Sequence, residues 1–592
     1  MGWSCNGRGC KWSDSCRPSD RQDWAQPQRR CFLDYLLAVY TSFTSARSLR
    51  VVAIACIAGL STERAHAQSD TALTLAVLPG EHWFGGRIGD AHAAPYTEGF
   101  AADLHDNAGN QVQPLLLSTA GRYVWSDGAY RFALAAGAGD APATLVVTAA
   151  DALVRHGTAP GGTLAAAHAL AVDSFFRFDG RLPARELFAA PQYNTWIELI
   201  YDQNQADVMA YARGVVEHGF APGVLMIDDN WQRDYGDWRF RADRFPDPRA
   251  MVDSLHAMGF RVMLWVCPFV SPDHENFRHV QEGWRGFLDD PADTMRAEIV
   301  RWWNGHSAVL DLADPRSETW LRAQLDWLRE EYGVDGFKLD AGDFPFYESG
   351  LPVDYARGDV AESGTTPQEQ SELFARIGLD YLFNEYRATW RLGGAPLAQR
   401  LGDKGFAWGD LRRLIPGMLT TGLMGYPYAA PDMIGGGEYR SFLALDSLDG
   451  ELVVRSAQVH ALMPMMQFSV APWRVLDEEH LAAVRAAAAL HVEHADRILA
   501  LAERASRTGE PIVRPLAYAY PGQGYADVRD AFLLGEDLLV APVLERGARA
   551  RSVRLPRGER WRYVPTGEVY DGGDEVTVPA PLDVLPRFAR EP

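Results

Sequence analysis

The spacing of apolar residues divides the chain into three regions, and the first and last of them share a β pattern. From about residue 70 to 185, short alternating runs are interrupted by Gly, Asp and Pro, which is typical of antiparallel strands. The predicted strands there are Ala72–Leu78, Gln113–Leu117, Tyr123–Ser126, Tyr130–Leu134 and Thr144–Ala149. The pattern returns in Pro511–Tyr518, Phe532–Val543, Ser552–Leu555, Trp561–Tyr563 and Val576–Val578. We therefore predict an N-terminal β-sandwich over 68–188 and a C-terminal one over 506–592.

The middle region, 189–505, alternates strands with helices. Its predicted elements include Trp196–Tyr201, Ala206–His218, Gly223–Ile227, Met251–Met258, Arg261–Val266 and the long helix Ala482–Leu501. Repeated βα units of this length predict a parallel (β/α)8 barrel, a TIM barrel. The connection 269–306 is longer than a strand-to-helix loop needs, so we predict an inserted subdomain there. The predicted fold class is a multidomain chain with a barrel between two β-sandwich regions.

Residues 314–343 give the clearest local boundaries in the barrel. Asp314 followed by proline predicts the N-terminus of a helix, and Gly333 predicts its end. The next apolar run predicts a short strand, in which Lys338 and Asp340 leave the same face because they are two residues apart. In a barrel that face is the interior, and the C-terminal strand end is where barrel enzymes hold their catalytic groups. The alternative is an aspartate that only caps the next helix.

Composition limits the classes of function. At 592 residues the chain is too long for a single core, and its hydrophobic and charged contents of 47% and 23% are those of a globular protein. Its net charge is −21, although the first 67 residues are basic, with nine Lys or Arg against five Asp or Glu. An acidic body without a basic stripe argues against a nucleic-acid partner.

The basic N-terminal region predicts an export signal. Arginines at 47 and 50 precede an apolar run at 51–60, and Ala65-His66-Ala67 matches a cleavage site before Gln68. The apolar run is too short for a permanent membrane helix, so we expect no stable membrane insertion of the mature chain. We interpret 1–67 as a signal peptide, in which an over-called start codon would explain the unusual first 45 residues, and expect a periplasmic or secreted protein. The mature chain keeps only Cys267 of six cysteines and hence no internal disulfide.

Carboxylates recur where the predicted strands end, which points to a site at one rim of the barrel. The set is Asp228, Asp229, Asp340, Asp343, Asp403, Asp410 and Asp432. No glycine-rich phosphate loop, G-x-S-x-G elbow or H-x-x-x-H zinc spacing occurs, so we predict neither a cofactor nor a metal. Paired carboxylates among aromatic residues are typical of glycoside cleavage, in which one attacks or activates water and the other protonates the leaving oxygen.

Four motifs connect this pattern to a known family. They are Gly336-Phe337-Lys338-Leu339-Asp340, Ile227-Asp228-Asp229-Asn230-Trp231, Pro431-Asp432-Met433-Ile434-Gly435-Gly436 and Asp537-Leu538-Leu539-Val540-Ala541-Pro542. On these motifs the chain resembles the retaining α-glycosidases of glycoside hydrolase family 31 over nearly the whole mature sequence. Leu264-Trp265-Val266, Asp340-Ala341-Gly342 and Gly425-Tyr426-Pro427 are similar to the α-galactosidase-like branch of that family. The resemblance implies that Asp340 is the nucleophile that forms a covalent glycosyl-enzyme.

The general acid/base can be placed at two positions. Trp408-Gly409-Asp410 resembles the W-x-G-D in which many family members carry this residue, which favours Asp410. In the family, however, a tryptophan follows the acid/base by five residues, as Trp408 follows Asp403. The run from Arg387 to Asp403 also matches, without a gap, the segment R-x-x-W-R…P-L-x-x-R-x-x-D that leads to the acid in the α-galactosidase-like branch. The resemblance therefore implies Asp403, and Asp410 is the alternative.

The resemblance also implies a set of residues that bind the sugar. The set is Asp228, Asp229, Trp265, Lys338, Arg387, Trp408 and Asp432. In it Asp228 and Asp229 would accept hydrogen bonds from sugar hydroxyls, the two tryptophans would stack on the ring, and Arg387 would contact the sugar. Lys338 would help to keep Asp340 ionised, as a nearby positive charge does. Two alternatives stay open, because Trp408 fits an ordinary core residue and Asp432 a turn residue.

The chain departs from the α-glucosidase pattern after the last barrel strand. Gln467 and Ser469 stand where those enzymes carry an arginine and a histidine that hold sugar hydroxyls. This difference favours α-galactoside-like substrates over α-xylosides, α-glucosides and sulfoquinovosides. The predicted function is a retaining α-glycosidase with an oligosaccharide or glycoside as its partner. A non-catalytic carbohydrate-binding relative and a transglycosylase are the alternatives, and the oligomeric state stays open.

Overall fold

The structure is a computed structural model, and it describes residues 3–6, 9–12, 71–137, 139, 141–150, 152–290, 293–348, 365–443 and 448–591. The chain separates into two units, Met1–Ala67 and Gln68–Pro592. In the first unit, strands Trp3–Asn6 and Gly9–Trp12 pair antiparallel. The predicted export signal, 46–67, lies outside the described residues. In the described part of the chain no helix combines the length and apolar character that a membrane span requires.

Two four-stranded antiparallel sheets form the N-terminal β-sandwich. One contains Thr71–Ala76, Thr144–Ala149, Arg131–Ala135 and Ala101–Asp103, in that spatial order. The other contains Val154–Thr158, Arg122–Ser126, Val112–Ser118 and Trp83–Arg87. Burial alternates residue by residue along 144–149, as it must in a strand with one face on the core. The predicted β pattern of this region is confirmed.

The central region is a barrel of eight parallel strands. They are β1 (Gln192–Asn194), β2 (Val224–Ile227), β3 (Arg261–Val266), β4 (Gly336–Leu339), β5 (Phe383–Tyr386), β6 (Gln399–Arg400), β7 (Ala429–Ala430) and β8 (Gln467–Phe468). From β1 to β7 each strand pairs with the next in sequence, and β8 pairs with β1. A parallel bridge between Ile434 and Phe468 brings the segment after β7 beside β8 and nearly closes the ring. The predicted TIM barrel is confirmed.

Helices surround the barrel. The longer ones are Leu164–Phe175, Gln205–Glu217, Pro248–Ala257, Pro315–Tyr332, Pro367–Ile377, Trp408–Leu423, Gly450–Ala461, Glu478–Glu493 and Ala495–Thr508. Shorter turns of helix are Ile88–Ala93, Glu186–Ala189, Trp196–Leu199, Phe344–Tyr347, Gly378–Asp380, Arg440–Phe442, Pro472–Val475 and Leu516–Ala519. Asp314 caps its helix by accepting from Arg316 N, and Gly333 ends it with a left-handed φ of 77°, as predicted.

Two predicted elements of the barrel region were wrong. Trp196–Tyr201 is not a strand, because β1 ends at Asn194, whose side-chain oxygen accepts from the Trp196 backbone N–H at 2.8 Å and starts a helical turn. The single long helix over 482–501 is two helices that meet at His494, whose ψ of 7° departs from the helical value. Alanine-rich sequence favours helix throughout that stretch and therefore conceals the break.

An insertion separates β3 from β4, as the length of 269–306 predicts. Its elements are Phe269–Val270, Glu275–Trp284, Asp289–Asp290, Asp293–Ala297, Ile299–Trp302 and Gly305–Val309. Gly305–Val309 pairs antiparallel with both Ile299–Trp302 and Phe269–Val270, so the insertion has a small sheet of its own. The hairpin turn at 303–304 is thereby fixed beside the C-terminal ends of the barrel strands.

The C-terminal region is again antiparallel. A six-stranded sheet contains Val513–Arg514, Phe532–Leu534, Leu538–Val540, Arg587–Arg590, Arg560–Tyr563 and Val569–Asp571. A separate pair joins Ala550–Arg554 with Glu575–Pro579. Its own core includes Leu533, Leu539, Trp561, Val578 and Phe588. The predicted run 532–543 is two strands rather than one, since Gly535, with a φ of 71°, turns the chain between them.

Candidate active site

A cavity of about 280 Å³ opens at the C-terminal ends of the barrel strands. Its lining residues are Trp196, Tyr201, Asp228, Asp229, Trp265, Trp303, Lys338, Asp340, Arg387, Arg400, Asp403, Met433 and Gly437. The carboxyl ends of parallel strands meet at one rim, which is why residues so far apart in sequence share one site. Four carboxylates and three cations of the set lie in, or just after, strands β2, β4, β5 and β6.

Asp340 follows β4 and is 6% exposed. Its Oδ2 accepts from the indole Nε1 of Trp265 at 2.8 Å, and its Oδ1 accepts from the Ala341 backbone N–H at 2.8 Å. Burial alone would raise the pKa of this carboxyl, but Lys338, Arg387 and Arg400 outweigh burial and lower it. The side chain is therefore held ionised and in a fixed orientation, which a nucleophile requires.

Lys338 makes its direct contact with Asp228 rather than with Asp340. Its Nζ donates to Asp228 Oδ2 at 2.7 Å, and the Asn194 amide donates to the same oxygen at 2.7 Å. Both charged side chains are buried, and each needs the other because an unpaired buried charge is costly. Lys338 still acts on Asp340 electrostatically, in the direction expected from the sequence.

Arg387 follows β5 and contacts three carboxylates. Its Nη1 lies 3.8 Å from Asp340 Oδ1 and 3.9 Å from Asp403 Oδ2, and its Nε lies 3.4 Å from Asp343 Oδ2. Arg387 Nη1 lies near both Asp340 Oδ1 and Asp403 Oδ2. The distance between these two oxygens therefore cannot exceed the sum of their distances to Nη1. That limit admits the ~5–5.5 Å of a retaining pair.

Asp403 lies on the loop after β6 and is the most accessible of these carboxylates, with a side chain that is 43% exposed. Its Oδ1 accepts from Arg400 Nη1 at 2.6 Å. Burial acts to raise the pKa of Asp403, but Arg400, Arg387 and Lys338 together hold it well below its ordinary range. A general acid must carry a proton, which a low pKa opposes. Asp403 could therefore serve as an acid only after its contact with Arg400 is released.

Asp229 is held by the insertion. Its Oδ1 accepts from the Tyr235 hydroxyl at 3.2 Å, and Asn304, at the tip of the inserted hairpin, donates to its Oδ2. Burial and the neighbouring Asp228 raise its pKa to about 7, although hydrogen bonds from Gln232 and from the backbone N–H of residue 230 oppose the rise. The insertion is thus bonded to the wall of the cavity.

These side chains provide what glycoside cleavage needs. An ionised carboxylate and a second, more accessible carboxylate face one cavity, and further polar groups surround them to hold hydroxyls. The Glycosyl hydrolases family 31 TIM-barrel domain matches residues 186–494, and the Glycosyl hydrolase family 31 C-terminal domain matches 509–592. The chain belongs to glycosyl hydrolase family 31.

Members of the family differ in their sequence identity to this chain. Myogenesis-regulating glycosidase of Mus musculus is 36% identical over 72% of this chain and 59% of its own length. Sulfoquinovosidase of Agrobacterium fabrum is 28% identical over 59% of this chain and 54% of its own length. A GH31 dextranase from Flavobacterium johnsoniae, 20% identical, superposes with a TM-score of 0.76 over 88% of this chain and 66% of that one, which shows a shared fold. The chain spans little more than half the length of these curated relatives.

Seven of the nine site residues expected from the sequence line the cavity of this family 31 chain. They are Asp228, Asp229, Trp265, Lys338, Asp340, Arg387 and Asp403. Trp408 does not; it begins the helix Trp408–Leu423, and its Nε1 donates to Asp449 Oδ2 at 3.0 Å. Asp432 does not either; it is 0% exposed and pairs with Arg400. These two are therefore removed from the proposed sugar contacts.

The structure separates Asp410 from Asp340. Asp410 lines a second cavity of about 350 Å³, between the barrel and the N-terminal region, and lies 3.9 Å from Arg413. Among the residues that the structure describes, Asp403 alone borders both cavities. Because an acid must reach the bond that the nucleophile attacks, this placement favours Asp403 over Asp410.

Six lining residues are absent from the sequence-based set: Trp196, Tyr201, Trp303, Arg400, Met433 and Gly437. Trp303 and Tyr201 line the cavity with exposed rings, 44% and 48% accessible, and Arg400 lies between Asp403 and Asp432. Arg400 has a detectable signal, since it precedes Asp403 by three residues in the motif that identified the acid. Trp303 has none, because only the fold of the insertion brings it to the rim. Among the residues that the structure describes, no group of three His, Cys, Asp or Glu side chains is placed to hold a metal ion.

Proposed function

We propose that the protein is a retaining α-glycosidase that hydrolyses terminal α-linked sugars, with α-galactoside-like substrates favoured. Asp340 attacks the anomeric carbon while Asp403 protonates the leaving oxygen, which gives a covalent glycosyl-enzyme. Asp403, now ionised, then removes a proton from water, and the water displaces Asp340. The observation that carries the proposal is the shared contact of Arg387 with both carboxylates at the rim of the barrel.

Recognition of the sugar would depend on the polar and aromatic side chains that line the cavity. Asp228 and Asp229 line the cavity together with the aromatic side chain of Trp265. Gln467 and Ser469 take no part: Gln467 donates to Gln192 at 3.0 Å, and the Ser469 hydroxyl donates to the Gly436 carbonyl at 2.8 Å. The contacts to sugar hydroxyls expected of α-glucosidases are therefore missing at these two positions. This absence supports a substrate sugar other than glucose.

A panel of nitrophenyl α-glycosides tests this choice. Galactoside, glucoside, xyloside and sulfoquinovoside should be compared by kcat/KM, and we expect the galactoside to be cleaved fastest. Proteins similar to this chain include an isomaltosidase, a sulfoquinovosidase and a structurally similar α-xylosidase, so each of these sugars is a meaningful competitor. A preference for any of the other three contradicts the galactoside proposal, and no turnover of any contradicts the glycosidase itself.

Two other functions remain as rivals. A carbohydrate-binding protein without turnover would not need Asp340 held ionised beside an accessible second carboxylate. A transglycosylase would use the same residues with a sugar acceptor in place of water. Product analysis separates the three, since hydrolysis releases free sugar, transfer gives larger products and binding gives neither.

Trp303 is the proposed platform for the leaving group. The guanidinium carbon of Arg387 lies 5.2 Å from the centre of its ring, on the side of the cavity where Asp403 lies. We expect Trp303→Ala to lower kcat/KM for an α-linked disaccharide about tenfold, ~1.4 kcal/mol, through lost stacking. The matching glycosyl fluoride, which carries no sugar on the leaving side, should lose much less.

The control for this prediction is Trp284→Ala. Trp284 belongs to the same insertion, but its Nε1 donates to the Ser317 hydroxyl at 3.1 Å, away from the cavity. It should reduce the stability of the insertion without discriminating between the two substrates. Equal losses for disaccharide and fluoride in Trp303→Ala would assign Trp303 to the sugar that is cleaved, not to its leaving group.

Export to the periplasm or beyond is proposed from the N-terminal sequence. The motif Ala65-His66-Ala67 after a short apolar run supports cleavage before Gln68. N-terminal sequencing of the exported protein should give Gln68 as the first residue. A mature protein that still contains Cys56 would show that this site is not used.

A further inference from the structure

The loop that carries Asp403 is held at both ends by Asp432. Asp432 Oδ1 accepts from Arg400 Nη1 at 2.7 Å, and its Oδ2 accepts from the Lys404 backbone N–H at 2.9 Å. The aspartate is itself fixed, since it is 0% exposed and has a φ of 66°, a left-handed conformation that aspartate tolerates better than most residues. His460 Nε2 lies 3.2 Å from its backbone carbonyl. Asp432 is therefore an anchor for residues 400–404.

Arg400 is shared between two carboxylates. Its Nη1 lies 2.6 Å from Asp403 Oδ1 and 2.7 Å from Asp432 Oδ1, and a terminal guanidinium nitrogen carries two protons, so it can serve both at once. Glu385 lies 3.4 Å from Arg400 Nε. The arginine is 2% exposed, and a cation buried that deeply must stay paired because an uncompensated buried charge is strongly destabilising.

Asp403 and Asp432 differ in their access to the cavity and to water, and hence in whether they can exchange Arg400 for another partner. Asp403 is partly exposed and reaches the cavity, whereas Asp432 is sealed from water. The acid step requires Asp403 to give up its ion pair and carry a proton. If Asp403 were the single partner of Arg400, that step would leave a buried cation unpaired. Asp432 removes this cost, because it keeps Arg400 paired when Asp403 turns to the substrate.

We propose that Asp432 is a positioning residue for catalysis, which through Arg400 holds the Asp403 loop and allows Asp403 to exchange its ion pair for a proton. The inference rests on the proposed role of Asp403. Asp432 contacts neither the cavity nor the sugar, so it acts only through Arg400 and Lys404. The other charged groups that act on Asp403 are Arg387, Lys338, Lys404, Asp340 and Asp343.

The first test needs no activity. Asp403→Asn, Asp432→Asn and the double variant are compared with the wild type by urea unfolding at neutral pH. Each single variant leaves Arg400 one close carboxylate, whereas the double variant leaves only the more distant Glu385. We expect the double variant to lose more stability than the sum of the two single losses. Additive losses would show that the carboxylates do not share Arg400, and would overturn the proposal.

The second test follows protonation. Asp432→Asn keeps the size of the side chain and one oxygen for Lys404 N–H, but it removes a negative charge beside Arg400. Arg400 then acts more strongly on Asp403, so the pKa of Asp403 falls. The limb on which kcat decreases at high pH requires protonated Asp403, and we expect it to move to lower pH by about one unit. A loss of kcat with an unmoved limb would reduce Asp432 to a structural role.

Asp449→Asn is the matched control. Asp449 is also an aspartate with side-chain bonds to its surroundings, to Trp408 Nε1 and Leu452 N–H, but it does not contact Arg400. It should lower stability, leave the pH limb in place and add to Asp403→Asn without coupling. The assay uses the nitrophenyl glycoside that the wild type cleaves fastest. If the wild type cleaves none, the proposed function fails, and the unfolding cycle still decides whether Arg400 is shared.

Discussion

Asp340→Asn is expected to lower kcat by at least three orders of magnitude, about 4 kcal/mol, while the protein folds normally. The amide cannot supply the anionic oxygen that forms the bond to the anomeric carbon. Its side-chain oxygen can still accept from Trp265 Nε1, which lies 2.8 Å from Asp340 in the wild type, so the local structure has reason to persist. Steady-state kinetics on the preferred nitrophenyl glycoside, with thermal unfolding of the same sample, measures both parts of the expectation.

Asp343→Asn is the control that distinguishes the loss of the nucleophile from the loss of a buried negative charge beside Arg387. Asp343 is also buried and also pairs with Arg387, at 3.4 Å, but it does not line the cavity. It should impair the enzyme modestly, through the position of Arg387. If the folded Asp340→Asn variant retains more than about a tenth of the wild-type kcat, a loss under ~1.4 kcal/mol, the nucleophile lies elsewhere.

The parts of the fold that sequence could predict are those with local chemistry. Asp314 and Gly333 bound their helix as expected, and Thr366 with Glu369 forms a capping box whose T-x-x-E spacing is visible in the sequence. The strand Arg261–Val266 has the predicted ends, because a buried apolar run of five residues after Arg261 leaves little choice. Caps, turns and apolar runs are decided within a few residues, and the rest of the chain has little influence on them.

The parts that sequence could not predict depend on distant residues. Three barrel strands, β6, β7 and β8, have only two residues each, which is too short for any periodic signal. Trp196–Leu199 is predicted as a strand because its apolar residues fit a strand as well as a helical turn. The hydrogen bond that the Trp196 backbone N–H donates to the Asn194 side-chain oxygen distinguishes the turn from a strand, and its geometry is set by tertiary structure.

The candidate site likewise contains residues whose position the sequence could predict and residues whose position it could not. Asp340 follows a strand whose pattern is local, so its place at the rim followed from periodicity. The sequence indicates Trp408 as a residue of the site, but Trp303 lines the cavity and Trp408 does not. The cavity is completed by a hairpin of the insertion, whose contact through Asn304 has no sequence signature. The roles of the residues that do line the cavity stay predictions until the variants are measured.

Asp403→Ala is expected to show the behaviour of a lost general acid/base, and Asp410→Ala that of a modestly impaired hydrolase. An acid matters most when the leaving group is poor, because a good leaving group departs without a proton. Asp403→Ala should therefore lose far more activity on an α-linked disaccharide than on an activated aryl glycoside. Asp410 lies in the neighbouring cavity beside Arg413, so its removal should affect both substrates alike.

Azide distinguishes the two variants by the product they form. In Asp403→Ala the glycosyl-enzyme accumulates, because no base remains to activate water. Azide needs no base; it attacks the anomeric carbon, the bond to Asp340 breaks, and the product is an α-glycosyl azide of retained configuration. Rescue of Asp340→Ala should instead give the β-azide, since azide enters from the side that the nucleophile has vacated. Because Asp403 alone borders both cavities, retained azide from Asp410→Ala would mean that the W-x-G-D motif identifies the acid and that the loop after β6 moves before it acts.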